Sequence, residues 1–146
     1  MSIRPMSIGD YDDVHRLWLA TPGMGLNDVD DSRDGIARYL KRNPTTCFVA
    51  EEDGQLVGAI LSGHDGRRGF IYHTCVGLDA RLGGVGRALV DAALAALRDE
   101  GITKVALVVF ARNEGGNAFW EHLGFTVRSD LNYRNRALRE LERIDT

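Results

Sequence analysis

The chain has 146 residues, of which 44% are hydrophobic, 27% charged and 8% aromatic. This composition is typical of one compact domain, and a domain of this length buries roughly 68–70% of its unfolded surface without disulfides or a metal. Lys and Arg total 18 against 21 Asp and Glu, for a formal net charge of -3. That balance argues against nucleic acid or an anionic membrane as a partner, because binding either one requires a broad basic surface.

The apolar segments are too short to cross a membrane. The longest, residues 105–111, is far below the roughly 20 residues that a span needs. Arg4 and Asp10 interrupt the region where a secretory signal would be apolar, so we expect a cytoplasmic protein. Cys47 and Cys75 lie in apolar segments without CxxC or Cys/His spacing, which predicts buried free thiols and neither a zinc site nor a disulfide.

The beginning of the chain predicts a strand followed by an amphipathic helix. Residues 1–6 are interpreted as the strand. Tyr11, Val14 and Trp18 then recur at the spacing of one helical face. Pro and Gly at residues 22–23 end this helix, because neither residue type continues a helix readily.

An acidic loop and a second helix come next. Residues 23–34 contain two glycines and four carboxylates, which are Asp28, Asp30, Asp31 and Asp34. Ser32 can cap a short helix, since a serine hydroxyl accepts a hydrogen bond from a free backbone N–H of the first turn. Asn43 and Pro44 end that helix.

A three-stranded meander is predicted in the middle of the chain. Residues 47–51 and 56–62 are apolar runs on either side of Asp53-Gly54, the strongest short signal for a hairpin. A glycine-rich link follows, and residues 70–78 form a β-branched and aromatic run that predicts the fourth strand of the sheet.

The second half of the chain predicts a strand-helix-strand unit. A glycine-rich turn at residues 81–86 opens into a helix at 87–100, and residues 105–110 form a buried fifth strand. The fourth and fifth strands should pair in parallel, because a helix connects them. Residues 115–123 form a short helix, and two final strands at 125–128 and 133–138 complete the sheet. The whole chain, 1–146, is expected to be a single mixed α/β domain.

The glycine-rich turn has the properties of an anion site. Unpaired N–H groups at a helix N-terminus point toward one place, and the helix dipole adds partial positive charge there. Glycines permit the close approach of a phosphate, with Arg81 and Arg87 beside it. The GxxxxGK[ST] pattern of a P-loop and the GxGxxG pattern of a dinucleotide site are both absent.

This segment resembles the acetyl-coenzyme A site of the GNAT superfamily of N-acetyltransferases, whose hallmark is (Arg/Gln)-x-x-Gly-x-(Gly/Ala) between the fourth strand and the third helix. Arg81, Gly84 and Gly86 fit that hallmark. The resemblance spans most of the chain, since Asn113 and the Gly124-Phe125 pair match a later block of the family pattern.

The resemblance implies a GNAT fold: a central mixed, mostly antiparallel sheet with a parallel pair of fourth and fifth strands, flanked by helices. It also implies binding of acetyl-CoA without a metal. The backbone of residues 75–78 would pair with the pantetheine arm, the amides of residues 82–87 would hold the pyrophosphate, and Asn113 would bind near the thiol, although Asn113 equally suits an N-cap. The cofactor-binding residues implied are Cys75, Val76, Gly77, Leu78, Arg81, Leu82, Gly83, Gly84, Val85, Gly86, Arg87, Ala88, Asn113 and Trp120.

The chain departs from the family at both usual proton-transfer positions. The tyrosine that acts as general acid is matched by Trp120, whose indole N–H is not an acid at neutral pH. The glutamate base of the ribosomal-protein branch is matched by Val108. Trp120 can still pack against the cofactor, and the thiolate is a tolerable leaving group without assistance.

Other ionisable residues become catalytic candidates. His73 and Tyr72 on the fourth strand and Tyr133 on the last strand are our candidates, with His64 and Asp65 in the preceding loop as alternatives. Tyr72 and His73 point to opposite faces of a regular strand and share one only if a bulge intervenes. A histidine exchanges protons near neutral pH, but His73 also suits a hydrogen-bonded, partly buried structural role.

Two functions remain open at this stage. The first is N-acetyl transfer from acetyl-CoA to a primary amine of a small molecule or of a protein or peptide. The second is a CoA-binding regulatory or interaction protein that has lost catalysis. By the resemblance, the acidic loop lies where the acceptor is covered, and it would attract a cationic amine or a basic peptide unless it is simply a solvated loop. The habit of the fold favours a homodimer.

Overall fold

The computed structural model describes residues 1–81 and 83–145, with only the backbone of residue 145. The elements, in chain order, are β1 (Ser2–Pro5), α1 (Tyr11–Leu19), β2 (Leu26–Asn27), α2 (Arg33–Arg42), β3 (Phe48–Glu52), β4 (Gln55–His64), β5 (Gly69–Val76), α3 (Val85–Asp99), β6 (Val105–Leu107), α4 (Glu114–His122) and β7 (Arg143–Asp145). Short 3-10 turns precede α1 and follow β5.

The central sheet has five strands in the order β1-β3-β4-β5-β6. The first four strands pair antiparallel, and β5 pairs in parallel with β6. The hairpin between β3 and β4 turns at Asp53 and Gly54, whose φ angles are 51° and 78°, as a tight two-residue turn of matching twist requires. The predicted mixed sheet and its parallel pair of fourth and fifth strands are confirmed, with β5 and β6 in those places.

Helices cover both faces of this sheet. Val14 and Trp18 of α1 and Ile36 of α2 pack with one set of strand residues, including Ala59. Leu89 of α3 packs on the opposite face with another set. Neighbouring residues of β4 therefore serve different cores, because successive side chains of a strand point to opposite faces.

Ion pairs and caps hold the first helices in place. The Arg4 guanidinium donates two hydrogen bonds to Asp10, at 2.7 and 2.9 Å, and a third to Glu51 of β3. This guanidinium holds the pKa of the Asp10 carboxyl below its usual value. At the start of α2, the predicted cap is present: Ser32 Oγ accepts a hydrogen bond from the Gly35 amide at 3.0 Å.

The C-terminal part differs from the sequence prediction. Segments 125–128 and 133–138, expected as strands, are irregular, and the predicted strand 105–110 ends at Leu107. With a three-residue β6 at its edge, the sheet offers almost no ladder for further strands. The last strand is instead β7, which pairs antiparallel with β2, a two-residue strand within the acidic loop. Neither of these two short strands was expected.

Within the described part of the chain, none of the helices is both long and apolar enough to cross a membrane.

Candidate functional site

A bulge in β5 decides where the catalytic candidates lie. Thr74 is paired with Ile60 of β4, but the next pair is Ile71 with Ser62, so Tyr72 and His73 together oppose a single β4 residue. Such an extra residue interrupts the alternation of faces. Ile71 accordingly packs in the α3 core while Cys75 packs in the α1 core, although strict alternation would put both on one face.

The bulge brings Tyr72 and His73 to the face covered by α1 and α2. The His73 ring lies edge-on to Trp18 of α1, with centroids 5.0 Å apart, and the Tyr72 ring lies edge-on to Tyr39 of α2, at 5.7 Å. The two candidates therefore occupy the same side of the sheet, which the sequence allowed only if a bulge was present.

Beyond this bulge, β5 and β6 separate. Their parallel pairing covers Gly69, Phe70 and Ile71 and ends with the Ile71–Leu107 pair. Among the described residues, no strand continues alongside residues 72–76 on that side. The backbone there is an open strand edge, which can bind an extended ligand as an added strand would. At its end, the Val76 carbonyl accepts a hydrogen bond from Arg81 Nε at 3.1 Å.

The N-terminus of α3 follows directly from this edge. Gly84 caps the helix in the left-handed region, at φ 80°, and a Cβ built there would meet nothing within 4 Å. The first turn of this 15-residue helix carries no acidic side chain. Free amides, a helix dipole and open space therefore meet at one point, an arrangement that suits a phosphate. Leu82, predicted to contribute an amide, lies outside the described residues.

The other glycines of the turn have different roles. A Cβ on Gly86 would lie 3.2 Å from two ring carbons of Phe119 and 3.6 Å from Val76, so Gly86 lets α3 pack closely against α4 and β5. A Cβ on Gly83 would only touch the Ala80 carbonyl at an ordinary 3.5 Å. The lack of a side chain at Gly86 therefore allows close packing of α3, whereas the space around Gly84 leaves the N-terminus of α3 open.

Asn113 and Trp120 have clear structural roles on α4. Asn113 Oδ1 accepts a hydrogen bond from the Gly116 amide at 2.9 Å, which makes Asn113 the N-cap. Trp120 is 9% exposed, and its ring lies edge-on to Phe119 and Phe125, at centroid distances of 5.0 and 5.2 Å. The contact of either residue with the cofactor stays a prediction.

His73 is paired with a residue of the acidic loop. His73 Nε2 lies 2.7 Å from Asp31 Oδ1, and these side chains are only 14% and 6% exposed. The second oxygen of the carboxylate accepts a hydrogen bond from the backbone N–H of Asn27 at 2.9 Å. The backbone carbonyl of Asp31 accepts one from the Tyr11 hydroxyl at 2.6 Å. Asp31 is thus a fixed, buried partner of His73.

Two other carboxylates of the acidic loop also accept hydrogen bonds within the protein. Besides Asp31, the Asp28 carboxylate accepts the amide of Glu142 at 2.7 Å, where β7 meets β2. Asp30 accepts a hydrogen bond from the side chain of Asn27 at 3.0 Å. Asp31 is buried, whereas Asp28, Asp30 and Asp34 are exposed, so attraction of a cationic acceptor by this loop stays a prediction.

An aromatic cleft adjoins Tyr72 on the same face. The cleft has a volume of about 320 Å³ and is lined by Tyr39, Asn43, His64, Asp65, Arg68, Phe70 and Tyr72. Burial, together with the nearby Tyr133 phenol and Asp30 carboxylate, raises the pKa of Tyr72. Tyr133, expected on the last strand, lies in the irregular segment and is 69% exposed.

His64 is the last residue of β4 and Asp65 begins the turn that follows, and both side chains have partners nearby. Asp65 Oδ1 accepts the amides of Arg67 and Arg68 at 2.8 and 2.9 Å, and so closes the turn between β4 and β5. His64 Nε2 faces Glu100 at 3.6 Å. Neither side chain is paired with His73, and a catalytic role for any of these candidates stays a prediction.

The two thiols are buried, as predicted. Burial raises the pKa of Cys75 to about 12 and that of Cys47 to about 12. Neither is a nucleophile at neutral pH, since only the thiolate reacts. No group of three or more His, Cys, Asp or Glu side chains in residues 1–81 and 83–145 is arranged to hold a metal ion.

Comparisons with known proteins agree with this geometry. The model of the acetyltransferase (GNAT) family matches residues 11–125. An acetyltransferase of Sodalis glossinidius is 30% identical over 131 residues, which are 90% of this chain and 91% of that protein. The chain therefore belongs to the GNAT family of acetyltransferases.

Solved structures share the fold. Ard1 from Thermoplasma volcanium superposes with a TM-score of 0.78 at 25% identity, over 88% of this chain and 84% of that one. A Mycobacterium tuberculosis protein crystallised in complex with CoA gives 0.69 at 21% identity, over 89% and 78% of the two chains. The predicted family and fold class are confirmed.

Sequence reasoning missed the contact of Asp31 with His73. The neighbours of Asp31 in the sequence are acidic, so only its place in the acidic loop is apparent there, and 42 residues separate it from His73. The contact of Tyr39 in α2 with Tyr72 is the second one that the sequence does not indicate. No spacing in the sequence marks either contact, since both depend on how α1 and α2 sit against the bulge.

Proposed function

We propose that this protein transfers an acetyl group from acetyl-CoA to a primary amine. The observation that carries the proposal is the order of three features along β5 and just after it. The His73 side chain comes first, the open backbone edge follows, and the N-terminus of α3 comes last. A thioester bound along that edge, with its phosphates at the helix, would bring its acetyl group to His73.

The residues present fit the cofactor. The amides of Val85, Gly86 and Arg87 are donors without intrahelical acceptors at the start of α3, and Arg81 and Arg87 add positive charge at the rim. The open edge of β5, including Cys75 and Val76, offers backbone groups to an extended amide chain. Asn113 and Trp120 at the start and end of α4 are the further cofactor contacts that we propose.

His73 is proposed as the general base. An amine attacks a thioester only as the neutral species, so a base must remove a proton from the ammonium or from the attacking nitrogen. Because Asp31 occupies Nε2, the proton would go to Nδ1, directly or through water. As the nitrogen bonds to the carbonyl carbon, the C–S bond breaks and the sulfur leaves with its electron pair.

Tyr72 is proposed as the acid that protonates the departing thiolate. The raised pKa of this phenol keeps it protonated, and therefore able to donate, throughout the neutral range. Tyr133, whose phenol lies close enough to influence Tyr72 electrostatically, is the second candidate. The position usually taken by the acid is occupied here by Trp120.

The cleft lined by Tyr39, Phe70 and Tyr72 is the proposed acceptor entrance. It lies on the face that carries His73 and is next to Tyr72, so an amine entering there reaches the base without crossing the sheet. Its aromatic walls suit the apolar part of a small molecule or a peptide side chain.

An amine panel with release of free thiol as the readout tests the proposal. The panel should include peptides with free N-termini, lysine derivatives and small primary amines, with matched alcohols as controls. Thiol release on at least one amine, together with a mass increase of one acetyl group, is expected. Tight acetyl-CoA binding without turnover on any amine would instead favour a CoA-binding regulatory protein.

A homodimer and a cytoplasmic location also stay predictions. Light scattering measures the molecular mass and so tests the homodimer.

A further inference from the structure

We propose that Asp31 is a positioning residue that selects the tautomer of His73, with the hydrogen on Nε2 and the lone pair on Nδ1. This inference rests on the proposed function, because the tautomer matters only if His73 accepts the amine proton.

The geometry leaves Nε2 a single role. The carboxylate oxygen Asp31 Oδ1 lies 2.7 Å from Nε2, and an ionised carboxylate only accepts hydrogen bonds. Nε2 must therefore carry the hydrogen and donate it. A neutral imidazole has one donor and one acceptor nitrogen, so Nδ1 is left as the acceptor.

Burial strengthens the preference for the tautomer with the hydrogen on Nε2. The Asp31 side chain is 6% exposed and that of His73 14%, so little water competes for their hydrogen bond. The edge-on contact with Trp18, at 5.0 Å, limits rotation of the imidazole. Once Nδ1 takes a proton, the resulting imidazolium faces a carboxylate that is already in place.

The carboxylate is itself held in one orientation. Its other oxygen, Oδ2, accepts the Asn27 amide at 2.9 Å. Because that backbone N–H needs an acceptor, Asp31→Asn should turn the oxygen of the introduced amide toward Asn27 and its NH₂ toward His73. His73 would then accept at Nε2 and carry its hydrogen on Nδ1, which removes the base from the catalytic position.

The test compares Asp31→Asn with Asp99→Asn, an isosteric loss of the same charge at an exposed position at the end of α3. Nitrogen-15 NMR of the imidazole in the free protein should show hydrogen on Nε2 in the wild type and in the control, and on Nδ1 in Asp31→Asn. With an amine substrate, Asp31→Asn should lower kcat by about 10²-fold with little change in acetyl-CoA affinity, and the control should match the wild type.

A double-mutant comparison separates positioning from a general structural role. If Asp31 acts through His73, adding Asp31→Asn to His73→Ala causes no further loss of kcat. Independent, multiplying losses, or an unchanged tautomer in Asp31→Asn, would overturn the inference. If His73→Ala keeps full activity, the proposed base is wrong, whereas the NMR result still decides whether Asp31 sets the tautomer.

Discussion

The two ends of β5 place functional groups by different means. At the C-terminal end, the open edge of β5 and the start of α3 offer mainly backbone groups, and these two elements follow each other closely in the sequence. At the bulge, His73 meets Asp31 from 42 residues away, and Tyr72 meets Tyr39 of α2. The first end should therefore tolerate changes of side chain but not of backbone or charge. The second should depend on individual side chains.

The largest effect is expected at the start of α3. Gly84→Glu places a carboxylate where the phosphates would bind, and affinity for acetyl-CoA should fall by at least about 100-fold, or about 2.8 kcal/mol. Calorimetric titration of the folded variant measures this. Gly84→Ala is the matched control: it has the same left-handed strain, about 1–2 kcal/mol of stability, without the charge. Unchanged acetyl-CoA affinity in Gly84→Glu would contradict the assignment of a phosphate site to the start of α3.

The next effect concerns the base. His73→Ala should lower kcat by about 10²–10⁴-fold while acetyl-CoA binding is kept, because the side chain acts on the amine and not on the phosphates. His122→Ala, at the exposed end of α4, is the control and should be silent. Steady-state kinetics and calorimetry together give the two quantities. If acetyl-CoA affinity falls as much as kcat, the two ends of β5 are not separate in function.

A smaller effect is expected at Tyr72. Tyr72→Phe should lower kcat by about 10-fold, and Tyr133→Phe, which removes the same hydroxyl from an exposed side chain, by less than about twofold. Since the pKa of Tyr72 is raised, its protonated form is lost only above the ordinary phenol value of about 10. The wild-type rate should therefore show no decline from loss of this acid below about pH 10. If Tyr133→Phe lowered kcat more than Tyr72→Phe does, Tyr133 would be the general acid.

The smallest effect is expected at Cys75. Cys75→Ala should change acetyl-CoA affinity by less than about twofold, because the backbone and not the thiol faces the ligand. Cys47→Ala, another buried thiol, controls for the loss of packing, about 1–2 kcal/mol. With a pKa of about 12, native Cys75 should also resist iodoacetamide at pH 8. Rapid alkylation, or a large loss of affinity confined to Cys75→Ala, would contradict this.

The end of β5 that we propose to bind acetyl-CoA could be predicted from the sequence for a physical reason. Its strand, glycine turn and helix are consecutive, and their signals are local: apolar runs, a glycine that tolerates positive φ, and helical periodicity. Arg81, Gly84 and Gly86 could therefore be identified together. Even there, only the structure separates the packing role of Gly86, next to Phe119, from the open position of Gly84.

The sequence by itself determined the order of the four helices and of the five strands of the central sheet, the parallel pairing across α3, the buried thiols and the glycine turn. Each of these depends on neighbouring residues or on a helical connection. Tertiary structure alone decided the bulge that brings Tyr72 and His73 to one face, the pairing of β2 with β7, and the contact of His73 with Asp31. These features depend on strand register and on side chains far apart in the chain. Local propensity carries no information about either, since packing of the complete sheet against α1 and α2 selects them.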